Sequence, residues 1–204
     1  MLIKTLPVGY LDTNCYIVSD EDTLECAVID PGDESNTILD YLEEHKLKCR
    51  AILVTHTHPD HVAALLPVME ETGAAVYASV GDTCAASSAW TNFVMPQGGR
   101  HYGEGDEVKV GSLTFRVIET PGHTPGGVTL ICGNALFTGD TLFKGSCGRV
   151  DFPGGDMKTM EQSLKKICSL PGDYEVYPGH MDMSTLARER EYNFYCRAAM
   201  GKDN

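Results

Sequence analysis

Ala51-Ile52-Leu53-Val54-Thr55-His56-Thr57-His58-Pro59-Asp60-His61 runs an apolar stretch straight into three histidines and an aspartate within six consecutive positions. The apolar run reads as a strand. His58 precedes a proline and is biased towards extended geometry, while Pro59 suits the first position of a helix. The segment therefore predicts a strand end, a short loop and a first helical turn, where imidazoles and a carboxylate can converge. Neutral imidazole nitrogens together with a carboxylate oxygen suit zinc, iron or manganese.

The same punctuation recurs further along. Leu113–Glu119 runs into Thr120-Pro121-Gly122-His123, Ala135-Leu136-Phe137 into Thr138-Gly139-Asp140, and Glu175-Val176-Tyr177 into Pro178-Gly179-His180. Each apolar run stops at a turn containing glycine, which lets the backbone bend sharply, and a residue of metal-ligand type follows. Loops at strand ends are held by a rigid scaffold and commonly carry binding residues. Four strand ends thus offer seven candidate ligands: His56, His58, Asp60, His61, His123, Asp140 and His180. Seven exceed the needs of one tetrahedral zinc but suit two neighbouring ions that share a carboxylate and keep open positions. On the competing reading Asp140 and His180 are ordinary turn residues. The other two of the seven histidines, His45 at a helix end and His101 among polar residues, read as solvated.

Around these sites strand and helix patterns alternate. Leu2–Leu6, Cys15–Ser19 and Glu25–Ile29 read as short strands, with Asp30-Pro31-Gly32 as the turn after the third. Ser35–His45 sets Ile38, Leu39 and Leu42 on one helical face. A helix is predicted over Val62–Thr72, stopped by Gly73, then a strand over Ala75–Ala78 and a helix over Val80–Ala89. Thr91–Gly103 shows no regular pattern; a loop over a site is preferred to a plain irregular connection. The last helix is expected to start at Ser184 as N-cap and, with Phe194 permitting it, to run towards Met200.

With 204 residues, 42 % of them hydrophobic, a single domain spanning 1–204 and a sizeable core are expected. The N-terminus has no basic stretch followed by an apolar run, and no segment is long enough to span a bilayer. A cytoplasmic protein without membrane attachment is the expectation. Eight cysteines without a Cys-x-x-Cys pair fit reduced thiols better than a disulfide framework or a cysteine-rich zinc site. The chain has 29 acidic against 16 basic residues, a formal charge of −13, which argues against nucleic acid as a partner. Anionic small molecules stay open, because bound dications reverse the local field. The aromatic run Tyr192-Asn193-Phe194-Tyr195 suits either the core helix layer or a second subunit.

At Thr55–His61 and the three later ligand turns the chain resembles the metallo-β-lactamase superfamily. Thr-His-x-His-x-Asp-His is highly specific, and the later turns come in the superfamily's order. The resemblance implies an α/β fold, a four-layer αβ/βα sandwich of two mixed β-sheets flanked by helices, with metals at one edge. It also implies that His56, His58 and His123 hold one metal, that Asp60, His61 and His180 hold the other, and that Asp140 bridges them. The β-lactamases themselves usually have a cysteine in place of Asp140, which disfavours antibiotic hydrolysis. Gly139-Asp140-Thr141-Leu142-Phe143, Gly148-Arg149, Phe152-Pro153-Gly154-Gly155-Asp156 and His180…Ser184-Thr185-Leu186 look like the short, single-domain bacterial branch of the glyoxalase II-like group. Full-length glyoxalase II enzymes add a C-terminal helical domain that helps hold glutathione, and this chain ends about where that domain would begin. Arg149 matches a basic contact to the thiol substrate, whereas Asp151 replaces the tyrosine expected two residues on. Met181 stands where a glycine often follows the last histidine.

The expectation is a metal-dependent hydrolase, a thioesterase of hydroxyacylglutathione hydrolase type, using two divalent ions with zinc preferred over iron or manganese. A metal-bridging hydroxide would attack the carbonyl of a small-molecule thioester. Asp60 and Asp140 are the catalytic candidates, the first orienting the hydroxide and the second holding the ions at bridging distance. A thiolate leaves readily, so no Ser/His or Cys/His triad is required. Lys144 and Arg149 are the candidates for holding a substrate carboxylate; each suits equally an ion pair with Asp151 or Asp156. Cys147 reads as a small packed thiol. Two other readings stand beside this one. Cys147-Gly148-Arg149-x-Asp151-Phe152 is similar to a segment of the persulfide dioxygenases, which use a single iron on the same fold. A metal-binding protein without catalysis is the third, against which open coordination positions argue.

Overall fold

The computed structural model describes residues 1–84 and 91–202. Three antiparallel strands open the chain: β1 (Leu2–Val8), β2 (Thr13–Ser19) and β3 (Glu25–Ile29). Helix α1 (Ser35–Glu44) crosses to β4 (Lys48–Leu53), parallel to β3. Then come α2 (Pro59–Val62), α3 (Leu65–Thr72), β5 (Ala75–Ser79), α4 (Val80–Thr83) and β6 (Arg100–Tyr102), the two strands adding in parallel. The second half is an antiparallel meander of β7 (Glu107–Val110), β8 (Leu113–Glu119), β9 (Val128–Cys132) and β10 (Ala135–Gly139). A small hairpin, β11 (Leu142–Phe143) with β12 (Ser146–Cys147), precedes helix α5 (Met157–Cys168). Strand β13 (Glu175–Pro178) pairs in parallel with β10, β14 (Ser184–Thr185) lies at its outer edge, and α6 (Leu186–Tyr192) and α7 (Phe194–Ala199) follow.

The strands form two six-stranded mixed sheets, ordered β1-β2-β3-β4-β5-β6 and β14-β13-β10-β9-β8-β7. Three apolar layers join them into the expected αβ/βα sandwich. Strand β2 shows the logic. Cys15 and Ile17 pack with Ile38, Leu42 and Val68 of the first helix layer, while Tyr16 and Val18 pack with Phe115, Leu130 and Phe137 between the sheets. Alternate side chains point to opposite faces, so a strand covered on both reads as continuously apolar. The outer face of the second sheet offers Ile118, Ile131 and Leu136 to Met160, Leu164 and Ile167 of α5. No described helix is long and apolar enough to cross a membrane, and all eight cysteines are free thiols.

Four local readings of the sequence differ from the structure. The helix expected over Val62–Thr72 is two helices, because the Ala64 amide donates to the carbonyl of Pro31 at 3.0 Å and the chain steps sideways there. The helix expected over Val80–Ala89 ends at Thr83, and positions 85–89 lie outside the described residues. The segment Thr91–Gly103 packs into the fold rather than over a site: Phe93 is buried in the first core layer, and Tyr102 donates to the Val54 carbonyl at 2.7 Å. The last helix starts at Leu186 and breaks at Asn193. Its Oδ1 accepts from the Tyr195 and Cys196 amides, and its Nδ2 donates to the Phe143 and Ser146 carbonyls, bonds a straight helix would not allow.

Candidate metal centre

All seven predicted ligands meet at one end of the sandwich. His58 takes the extended backbone that the following proline dictates (φ −62°, ψ 146°), and Pro59 opens α2, setting Asp60 and His61 in its single turn. His58 Nδ1 lies 3.1 Å from His56 Nε2 and 2.8 Å from His123 Nε2. A second group forms beside it, with His180 Nε2 3.3 Å from His61 Nε2 and 3.2 Å from Asp60 Oδ2. Asp140 stands between the two groups. Its Oδ2 is 3.4 Å from His123 Nε2 and 3.6 Å from His180 Nε2, and its Oδ1 is 3.4 Å from His61 Nε2. A Cβ on Gly179 would collide with Asp140 Oδ1 and the His61 ring, which explains a glycine before His180.

The outer ring nitrogens fix the tautomers. His123 Nδ1 is 2.7 Å from the Arg149 carbonyl and His180 Nδ1 is 3.2 Å from the Leu11 carbonyl. A carbonyl can only accept, so Nδ1 carries the proton and Nε2 presents a lone pair to the centre. His61 Nδ1 donates to Asp30 Oδ2 at 3.0 Å in the same way. The Thr55 hydroxyl donates to Asp30 Oδ2 at 2.6 Å and sits 3.2 Å from His56 Nδ1, so it accepts that proton. Asp30 thus orients two of the five histidines, directly or through Thr55.

Charge is arranged to match. Burial drives the His56 imidazole well below its ordinary pKa, and burial with the neighbouring His123 pulls His58 down to about 4. Burial raises the carboxyls of Asp60 and Asp140, but His180 beside the first and His61 beside the second outweigh it and hold both below the ordinary range. Burial likewise lowers His61 and His180, yet Asp140 and Asp30 around His61, and Asp60 against His180, hold these imidazoles above their ordinary value. His56 and His58 are thus held neutral and the carboxylates ionised, the forms a cation needs, whereas His61 and His180 give up a proton when a cation takes its place among the carboxylates. Asp140 Oδ1 and His58 Nε2 are buried without a hydrogen-bond partner, a cost that a bound cation would relieve at the carboxylate. Within each of the groups His56–His58–His123 and Asp60–His61–His180 the ligand atoms lie within 4.8 Å of one another. The donor set therefore fits two divalent ions.

Residues 8–180 match the description "Metallo-beta-lactamase superfamily". The chain belongs to the metallo-beta-lactamase superfamily. An uncharacterised protein of Aquifex aeolicus is 37 % identical over 95 % of this chain and 96 % of its own length. Hydroxyacylglutathione hydrolase GloC of Haemophilus influenzae is 30 % identical over 95 % and 97 %. Among solved structures, BLEG-1 B3 metallo-beta-lactamase aligns with a TM-score of 0.85 at 31 % identity, covering 96 % of this chain and 99 % of that one. ETHE1 from Myxococcus xanthus aligns at 0.84 and 28 %, covering 100 % and 92 %, and TTHA1623 in a di-iron-bound form at 0.79 and 36 %, covering 94 % and 99 %. Members of the superfamily are mostly metal-dependent hydrolases that bind divalent metals.

In this superfamily member five of the seven candidate ligands, His58, Asp60, His123, Asp140 and His180, floor a cleft of about 1000 Å³. Val8, Tyr10, Leu11, Phe143, Phe152 and Met181 give it apolar walls. Arg149 lines it, 2.7 Å from Asp151 as the sequence allowed, and half-buried Cys147 lies nearby with its thiol pushed up to about 11 by burial. Lys144 is placed elsewhere, 2.8 Å from Asp182 rather than Asp151 or Asp156. His45 stacks on Tyr41 and His101 approaches Thr83, both outside the centre. Two acidic residues escaped the sequence reading. Asp30 ends β3 as the candidate ligands end their strands, and that was its one available signal. Asp82 accepts from the Thr57 and Gly126 amides and the Thr124 hydroxyl, tying the His58 loop to the His123 loop. Nothing in its local sequence announces this.

Proposed function

We propose that the protein is a metal-dependent hydrolase of thioester bonds with glyoxalase II-type chemistry. His56, His58 and His123 would hold one divalent ion, Asp60, His61 and His180 the other, and Asp140 would bridge them. The observation that carries this reading is the Asp140 carboxylate, set between two complete ligand groups at the floor of an open cleft. When bound, such a pair of cations supplies hydroxide near neutral pH and polarises a carbonyl oxygen. The chain does the positioning. The Thr13 hydroxyl donates to Asp60 Oδ2 at 3.2 Å and fixes the carboxylate that faces the cleft. Asp30 holds His61 in the ligand tautomer, and the cleft walls exclude water from one side of a bound acyl group. A thiolate departs without a proton donor, which suits a site whose acidic residues are kept ionised. The relationship to GloC supports the thioester class, and zinc is the preferred metal, with the di-iron form of TTHA1623 supporting iron as a substitute.

Asp140→Asn tests the reading. Turnover of S-lactoylglutathione and a simple thioester should fall by at least about a hundredfold, and metal per chain should drop below two. A variant with two metals and normal turnover would sink the bridging role. A second reading, a persulfide dioxygenase, draws support from the likeness to ETHE1 and from the Cys147–Phe152 segment. The Asp60–His61–His180 group, which offers a place to a second ion, supports the hydrolase. Oxygen uptake with glutathione persulfide would decide for the dioxygenase.

A further inference from the structure

We propose that Asp151 is a specificity-determining residue. By clamping Arg149 it leaves the mouth of the cleft without a free cation, so the site favours thioesters whose acyl and thiol parts carry no carboxylate. This rests on the thioesterase reading above and names the substrate class within it.

Among the described residues that line the cleft, Arg149 alone is a lysine or arginine. Its guanidinium is engaged on two sides. Nε and Nη2 donate to Asp151 Oδ1 and Oδ2, both at 2.7 Å, the parallel fork that arginine makes with a carboxylate. Its face lies 3.8 Å from the centroid of the Phe152 ring. Its own carbonyl is held by His123 Nδ1, so the backbone from which it extends is pinned to the centre. Lys144, the next base along the chain, is spent on Asp182.

The opposite wall does not replace the missing charge. Outside the candidate ligands Asp33 is the charged residue it adds, Thr13 and Ser146 are polar, and large apolar side chains stand open: Tyr10 is 91 % exposed, Leu11 47 % and Met181 60 %. Large apolar side chains left open around one cleft mark a surface that gains by being covered. With Phe143 and Phe152 they form a sleeve suited to aryl or alkyl groups on either side of the scissile bond. A carrier such as glutathione brings carboxylates. To bind here they must displace Asp151 from Arg149 or lie beside Asp33 and Asp151, like charge against like.

The exposed pair is weak enough for its removal to be felt as a severalfold change rather than an all-or-none switch. The test compares S-lactoylglutathione with S-benzoyl-N-acetylcysteamine, a neutral aryl thioester, on the metal-loaded protein. Wild type should show the higher kcat/KM on the neutral substrate. Asp151→Asn should lower KM for S-lactoylglutathione about fivefold with kcat little changed, leave the neutral substrate unmoved, and lose its effect in high salt. In an Arg149→Ala background, where no cation is released, the same substitution should not bring KM for S-lactoylglutathione below the wild-type value. A wild-type preference for the glutathione thioester, or an unchanged KM for it in Asp151→Asn, overturns the inference and leaves the thioesterase standing. Turnover of neither thioester overturns the thioesterase reading, and the inference with it.

Discussion

Asp30 is buried at the end of β3, where the Thr55 amide, the Thr55 hydroxyl and His61 Nδ1 all donate to it. Asp30→Asn places an amide group where His61 needs an acceptor, which disfavours the tautomer that leaves Nε2 free. Metal affinity should fall about 10- to 100-fold, read by competition with a chromogenic chelator. Unchanged affinity would show that His61 is oriented by something else. The residue was hard to read because Asp30-Pro31-Gly32 is a complete turn signal on its own account. Its role appears only once β3 lies beside β4 and residue 30 meets residues 55 and 61. Met181 is a similar case. It has φ +71°, a conformation that favours glycine, so the glycine common at this position in the resembling group has a backbone reason. The candidate ligands themselves were legible one by one, since each follows its own strand. The carbonyls of Arg149 and Leu11 that set two tautomers carry no side-chain signature at all.

At the scale of elements, the strands leading to ligands were readable because each carries buried apolar residues close to its ligand turn, as at Ala51–Leu53, Val117–Ile118, Ala135–Phe137 and Val176–Tyr177. Glu107–Val110 and Val128–Cys132 gave no expectation of their own, having no ligand turn to frame them. Helix ends were harder, because tertiary hydrogen bonds decide them, as at Ala64 and Asn193. Glu189 of α6 is one such tie: it accepts from the Gly145 amide, Ser184, Arg188 and Asn193, fastening the β11–β12 hairpin to the C-terminal helices. Burial raises this carboxyl, but the bonds from Ser184, Gly145 and Asn193 outweigh it and hold it below its ordinary range. A depressed carboxyl stabilises the fold above its unfolded pKa of 4.5, and that contribution is lost as pH falls through the folded value. Glu189→Gln should therefore cost about 1–3 kcal/mol near neutral pH, by leaving donors unpaired. In denaturant melts the gap to wild type should narrow as the pH drops below 4.5. A gap independent of pH would mean that packing, not the charge, matters.

For the molecule as a whole, the ligand turns come from both sheets: His56, His58, Asp60 and His61 follow β4 of the first, and His123, Asp140 and His180 follow strands of the second. Bound cations would couple the two sheets. Stripping metal with a chelator should lower Tm by about 5–10 °C, since ligand at a hundred times its Kd adds about 2.7 kcal/mol and each kcal/mol moves a chain of this size by about 2–4 °C. An unchanged Tm on full removal would mean that the sheets close without help. The sandwich was legible as a class only through the family resemblance that the four ligand turns carry. How the strands divide between sheets was not, because pairing of β10 with β13 joins segments far apart in sequence.

The sandwich is also polar end to end. Ligand turns crowd one rim, while the turns at 20–24, 46–47, 111–112 and 133–134 gather at the other, where Asp20 accepts from Ser112 and the Lys48 amide bonds Leu24. That far rim is a handle. A fluorophore, an affinity tag or a surface linker grafted at Gly133-Asn134 would point away from the cleft, leaving the reacting end open to bulk solution when the protein is immobilised.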